Sequence, residues 1–216
     1  MIEIYALKLT EQLHRPVENF LAFFSSRRQS EILRYRFSAD RNRTLWTELL
    51  VRSALARKTS RSVQETVILR DERGKPYVAG NRLSISLSHS ENWAVCSIGE
   101  VPNGVDVEED ATDAFDIEEH FFTAQEYQSL RSLDDSARTK TFLKFWTIKE
   151  SYAKYTGQGI AEKFDKIDSG ALLAGKGHIV GKNFSVGNGI IGLCAKKGTL
   201  PLGIVLVSRS FFDDLY

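Results

Sequence analysis

The stretch from Phe142 to Gly159, FLKFWTIKESYAKYTGQG, restricts the fold more than any other part of this chain. At about 100° per residue, Phe142, Phe145, Trp146, Tyr152 and Ala153 share one apolar stripe, and Gly157 supplies a stop. A helix with such a stripe must lie against a core that the rest of the chain provides. Lys149 falls in the middle of the stripe, and Glu150 and Lys154 sit together on its flank. A lysine on an apolar face needs an anion or loses its solvation, and the Glu/Lys pair beside it can hold a metal and a phosphate. A buried lysine with a local partner, next to a solvated ion pair, explains the same spacing.

A chain of 216 residues suits one body of two fused halves better than two independent domains. No apolar run approaches a membrane span, and Met1 to Tyr5 starts as a strand rather than a leader. Cys96 and Cys194 each lie in an apolar, strand-like run, which points to reduced buried thiols and a cytoplasmic protein. The two Cys and four His show no zinc spacing. The net charge of +1 conceals a segregation: ten Lys/Arg against three acids from Arg27 to Arg61, then nine Asp/Glu and no Lys or Arg from Asp106 to Glu126. That division suits a polyanionic ligand held through a divalent cation, and it suits two solvated helix faces equally well.

In chain order, Ile2 to Leu7 reads as an opening strand, and 16–24 and 26–36 read as helices. Asp40 is the expected N-cap of a helix running to Lys58 through Trp46, Leu49, Leu50 and Ala54. Arg36, Arg41 and Arg43 cluster at its start, a suitable phosphate seat or a solubilising surface. Val67 to Leu69 reads as a short strand, and Asp71 to Pro76 as a turn presenting Lys75. Leu83–Ser90 and Trp93–Ile98 form a predicted hairpin, with Leu83, Ile85 and Leu87 towards the core and Ser84, Ser86 and Ser88 opposite. His89 at the strand end, flanked by hydroxyls, can contact phosphate or serve structurally.

Pro102-Asn103-Gly104 reads as a turn, followed by a strand that projects Asp106 and Glu108 from one face and Val105 and Val107 from the other. Two such carboxylates can share one hard cation, and with Glu150 they make an all-carboxylate site suited to Mg²⁺; solvated edge-strand charges are the alternative. Thr123 and Glu126 have capping-box spacing, which accounts for Glu126 without chemistry. The tract 165–189 is hard to place, and Ile190–Ala195 with Leu202–Val207 reads as a closing hairpin. Trp46-Thr47 and Trp146-Thr147 give a faint internal echo, each on a helix followed by a hairpin with a cysteine.

Gly104-Val-Asp106-Val-Glu108 together with Trp146-Thr-Ile-Lys149-Glu150-Ser151-Tyr-Ala-Lys154 resembles the 4′-phosphopantetheinyl transferase superfamily, in its longer bacterial, surfactin-synthetase-activating type. Supporting matches are Arg43-Thr44, Gly74-Lys75-Pro76, Ser88-His89-Ser90 and Phe122 to Tyr127, so the likeness spans Arg36 to Gly170. It implies an α+β fold of two similar α/β halves related by a pseudo-twofold, packed as one monomer with the ligand cleft between them. Residues 1–102 would be the nucleotide-contacting half and 103–216 the metal-binding, catalytic half. The implied reaction moves the phosphopantetheine arm of coenzyme A onto a serine of an acyl or peptidyl carrier protein, releasing 3′,5′-ADP. In that scheme Asp106, Glu108 and Glu150 hold Mg²⁺, and Lys154 neutralises the phosphate. Arg36, Arg43, Thr44, Lys75, Ser88 and His89 receive the nucleotide, and Glu150, Glu126 or a water at the metal serves as base.

The carrier would touch Phe121, Phe122 and the helix after Thr123, where a hydrophobic staple is the other explanation. Neither nucleic acid nor membrane is implied: the arginines of 27–61 lack the interleaved aromatics of single-strand binders and follow an amphipathic helix. Another Mg²⁺-dependent nucleotide or phosphate-ester enzyme could use the same carboxylates.

Overall fold

Alternating burial makes Glu3–Lys8 a strand (β1), with Ile4 and Ala6 on one face and Leu7 on the other. The computed structural model describes residues 1–9, 17–109, 118–158 and 163–215. After a 3₁₀ segment at Val17–Phe23 come α1 (Ser26–Leu33) and the long α2 (Ser38–Thr59). The small strands β2 (Ile68–Arg70) and β3 (Pro76–Val78) pair antiparallel across the turn that carries Gly74 at φ 82°. The predicted hairpin is β4 (Ser84–His89) and β5 (Trp93–Gly99), followed by β6 (Asn103–Glu108). The second half holds α3 (Glu118–Phe121), α4 (Ala124–Arg131), α5 (Asp135–Thr156), a 3₁₀ turn at Phe164–Lys166 and α6 (Ser169–Leu173). Strands β7 (Ile179–Val186), β8 (Gly189–Lys196) and β9 (Val205–Val207) complete it, with a 3₁₀ segment at Arg209–Leu215.

The first sheet has the order β4-β5-β1-β9 and the second β6-β8-β7. In each, a strand precedes a 22-residue helix and then a hairpin whose last strand pairs antiparallel with both others. The sheets pack face to face: Ile2, Ile4, Ala6 and Val95 of the first meet Val105, Val107, Ile191 and Leu193 of the second. Helix α2 covers the outer face of the first sheet, with Leu45, Trp46, Leu49 and Leu50 against Leu7, Ile85 and Cys96. Helix α5 covers the outer face of the second and packs on β6 and β8. Two glycines permit that contact, because a Cβ on Gly104 would run into the Ser151 carbonyl oxygen and one on Gly192 into that of Thr147.

Several expectations are corrected. Asn103 and Gly104 begin β6 instead of forming a turn, since the Asn103 amide bonds the carbonyls of Ser84 and Val101 and stitches the strand to the first sheet. Ile190–Ala195 pairs with β7 and β6, not with 202–207; the two-residue turn at Gly187 (φ 53°) fixes the β7–β8 register, and β9 instead runs parallel to β1. The N-cap of α2 is Phe37, without a side-chain bond, and Asp40 sits in the first turn holding Arg43 at 2.6 Å. A Ser, Thr, Asp or Asn at such a cap contributes about 1 kcal/mol that Phe37 forgoes. Helix α5 begins at an Asp134 cap and ends at Gly157 in the left-handed region (φ 75°). Among the described residues, no helix is long and apolar enough to cross a membrane. Gly159 of the Gly157–Gly159 loop and residues 110–117 of the acidic stretch lie outside the described residues.

Candidate active site

Strand alternation sends Val105 and Val107 into the core between the sheets and turns Asp106 and Glu108 the other way, towards α5. Asp106 is buried, and the Lys154 ammonium stands 2.6 Å from its Oδ1. Ser88 of β4 donates to the same oxygen at 2.7 Å and accepts from Lys154 at 3.0 Å. Three elements from both halves therefore meet at one carboxylate. Asp106 Oδ2, also buried, has no hydrogen-bond partner among the protein atoms. Glu108 is pushed up to about 8 by burial and then by the Asp106 charge, with Lys154 opposing. Glu150 on α5 is raised by burial and by Asp106, again against Lys154. Among the described residues no three His, Cys, Asp or Glu side chains come together as a group that could hold a metal ion, and the Lys154 ammonium engages Asp106 Oδ1. The orphaned oxygen and the mutually repelling hard donors are nonetheless what a divalent cation relieves.

Lys154 also stands where two pockets adjoin. The larger, about 510 Å³, is lined by Arg28, Thr44, Arg70, Ser88, His89 and Lys154. The smaller, about 230 Å³, takes in Lys75, Ser86, Ala153, Lys154 and Gly157. His89 lies at the strand end as predicted, its pKa lowered by loss of solvation and then by the charges of Lys154 and Arg43. Arg43 is absent from the lining; its guanidinium is held by Asp40 but its field reaches His89. Lys75 donates to the Tyr155 carbonyl at 2.9 Å, at the C-terminal end of α5, and burial lowers its pKa.

Arg28 and Arg70 were not among the residues expected from the sequence. Arg28 is oriented by Glu48 at 2.7 Å and Glu31 at 2.9 Å, and the first of these pairings crosses from α1 to α2, so nothing local announces it. Arg70 closes β2 one residue before the turn that carries Lys75, and that adjacency was the available signal.

Two expected site residues lie elsewhere. Arg36 is exposed, stacked 5.3 Å over the Phe37 ring and outside both pocket linings. Glu126 forms the capping box with Thr123, accepts from the Ser169 amide at 2.7 Å and pairs with Lys149 at 2.8 Å. With its oxygens so engaged it is a structural counter-ion, and Lys149, fully buried, spends its remaining donors on the carbonyls of Phe164 and Ile167. The buried-lysine explanation thus holds for Lys149. Phe122 is buried against Phe142, and Phe121 packs on Trp146 and Phe164, so this pair faces inward rather than towards a partner. Glu109 accepts from Ser90 Oγ, Asn92 N and Asn92 Nδ2, which clamps the β4–β5 turn and its neighbour His89 onto the end of β6.

Comparison with known proteins finds two family models in tandem along the chain. Residues 14–100 match the family model described as 4′-phosphopantetheinyl transferase, N-terminal, and residues 102–184 match that of the 4′-phosphopantetheinyl transferase superfamily. The 4′-phosphopantetheinyl transferase gsp of Aneurinibacillus migulanus is 35% identical over 161 residues, covering 74% of this chain and 68% of the relative. Sfp of Bacillus subtilis (strain 168) is 28% identical over 166 residues (76% and 74%), and HetI of Nostoc sp. is 32% identical over 166 residues (73% and 69%). The chain belongs to the 4′-phosphopantetheinyl transferase superfamily, in its longer type.

Proposed function

We propose that this chain transfers the 4′-phosphopantetheine arm of coenzyme A to a serine of an apo acyl or peptidyl carrier protein. The serine oxygen bonds to the phosphorus on the pantetheine side of the diphosphate, the bridging P–O bond breaks, 3′,5′-ADP leaves, and the serine proton passes to a base. The observation that carries this reading is the meeting of Lys154, Asp106 and Ser88 beside a basic pocket of nucleotide size.

Within this scheme Arg28, Thr44, Arg70 and His89 grip the nucleotide phosphate, with Arg43 acting through its field and Lys75 on the adjoining side. Asp106, Glu108 and Glu150 are the residues that would hold Mg²⁺, which when bound supplies positive charge against the diphosphate. Lys154 faces the phosphate on which charge accumulates. Glu150, whose pKa is raised by burial, is the side chain assigned to take the serine proton. The repeated strand order of the two sheets supports a pseudo-twofold relation with the ligand between the halves, divided near residue 102. That one chain supplies both the pocket and the carboxylates supports a monomer, and the free, buried thiols of Cys96 and Cys194 support a cytoplasmic setting.

The test is mass spectrometry of a panel of apo carriers incubated with coenzyme A and Mg²⁺. A carrier heavier by one phosphopantetheine, lost with chelator, is expected. Consumption of coenzyme A or another nucleotide with no carrier modified would overturn the reading in favour of a different phosphate-ester enzyme.

A further inference from the structure

The turn between α1 and α2 reads Leu33-Arg34-Tyr35-Arg36-Phe37, and every one of these side chains is exposed. Phe37 is 61% exposed, Tyr35 45% and Leu33 40%, a density of outward apolar groups that a folding core does not require. The same surface continues across Arg28, which lines a neighbouring pocket of about 230 Å³ with Arg27, Leu69 and Tyr77. Leu69 and Tyr77 stand opposite each other on β2 and β3, and both are exposed. The fold also makes a local sacrifice here, because Phe37 occupies the N-cap of α2, where a small polar side chain would bond a free amide. An exposed aromatic held at a position that disfavours it points to use by a partner.

The site and the partner can be linked on the page. Tyr35 belongs both to this surface and to the lining of the 510 Å³ pocket that ends at Lys154. The charged side chains of the turn are Arg34 and Arg36 alone; on α1 Arg27 is exposed and pairs with Glu31 at 3.1 Å, so the unbalanced positive charge belongs to the turn. Aromatic side chains beside arginines are the composition of a protein-binding patch, and the charge of Arg34 and Arg36 favours an acidic partner. A nucleotide does not explain it, since Leu33, Arg34, Arg36 and Phe37 lie outside both pocket linings.

We propose that Leu33–Phe37, continued by Leu69 and Tyr77, is the docking surface for the acceptor protein, which meets it with an acidic face bearing apolar side chains. This rests on the transfer reading above: docking here brings the acceptor to the mouth of the pocket that leads to Lys154.

The experiment uses the full chain, coenzyme A and the apo carrier that the wild type modifies best, with Phe37→Ser and Arg34→Glu as variants. For Phe37→Ser, the expected result is a melting temperature equal to or above wild type, unchanged affinity for coenzyme A by calorimetry, and an acceptor KM raised about 10-fold. Arg34→Glu should raise acceptor KM by a similar factor at low salt and by less at high salt. An unchanged acceptor KM in both variants overturns the proposal. So does a parallel loss of coenzyme A affinity, which would assign the turn to the nucleotide. A wild-type chain that modifies no carrier defeats the activity itself, and that outcome is distinct because it needs no variant.

Discussion

Helices α2 and α5 are built alike and used differently. Each has 22 residues, lies on the outer face of a sheet, and carries a Trp-Thr pair whose threonine bonds back to the carbonyl four residues earlier, Arg43 in one and Leu143 in the other. Aligning Trp46-Thr47 with Trp146-Thr147 sets Leu49, Leu50 and Ala54, all fully buried, against Lys149, Glu150 and Lys154. The strands echo the contrast. Leu7 is buried at the position on β1 where β6 has Asp106: it lies two residues beyond Tyr5, the partner of Cys96, as Asp106 lies two beyond Gly104, the partner of Cys194. At these matched positions one scaffold therefore serves twice, as an apolar wall on α2 and as a holder of charges on α5, while α2 keeps its own buried pair, Glu48 and Arg52, elsewhere. The second helix tolerates charge only because other elements answer each group: β6 and β4 answer Lys154, and α4 answers Lys149.

The sharpest break of the comparison exchanges the two characters. Leu50→Glu should destabilise the chain by about 3–5 kcal/mol, read as a lost or strongly lowered thermal transition, because its carboxylate has no partner in that core. Asp106→Ala should leave the melting temperature within a few degrees, as it removes an orphaned oxygen together with an ion pair, while transfer falls by roughly 1,000-fold. If Asp106→Ala instead unfolds the chain, the second half needs its charges for stability and the contrast fails.

A smaller effect sharpens it. Lys154→Ala should cost about 100-fold in kcat, with coenzyme A affinity reduced far less, when turnover is measured at saturating substrate. Near-wild-type turnover would return Lys154 to the role of a mere counter-ion for Asp106.

The smallest effect concerns pH. Glu108 and Glu150 both have raised pKa values, so the folded state favours their protonated forms and loses stability as pH climbs from about 4.5, the unfolded value, towards about 8 for Glu108. A cation that favours the ionised forms offsets that loss, so the rise in melting temperature on adding Mg²⁺ should be larger at pH 8.5 than at pH 6. An equal rise at both values, or none, would show that these carboxylates do not share the ion.

Much of the second half could be read before folding. The stripe and stop of α5, the alternation around Asp106 and the capping box at Thr123 are local periodicities and spacings, and local physics decides them. The serine face of β4 was legible as a face, but what it would meet was not. Ser86 bonds the Val105 amide and Ser88 bonds Asp106 through a sheet-to-sheet contact with no trace in sequence. The same limit hid Arg28, whose partner Glu48 lies 20 residues on, and it sent Glu126 to the catalytic group when Lys149 claims it. The closing hairpin failed for a related reason. Both segments look like strands, and only tertiary pairing sends β8 to the second sheet and β9 to the first.

The return of β9 to β1 reaches beyond topology. Phe212 follows it into the first core, 5.5 Å from the Trp46 ring, so the last part of the polypeptide completes the body formed by its opening part. The two portions are laced together like a belt passed back through its buckle. Severing the backbone between β5 and β6 should yield fragments that regain structure only when mixed, and the earlier fragment alone should expose the aromatic seat that Phe212 fills.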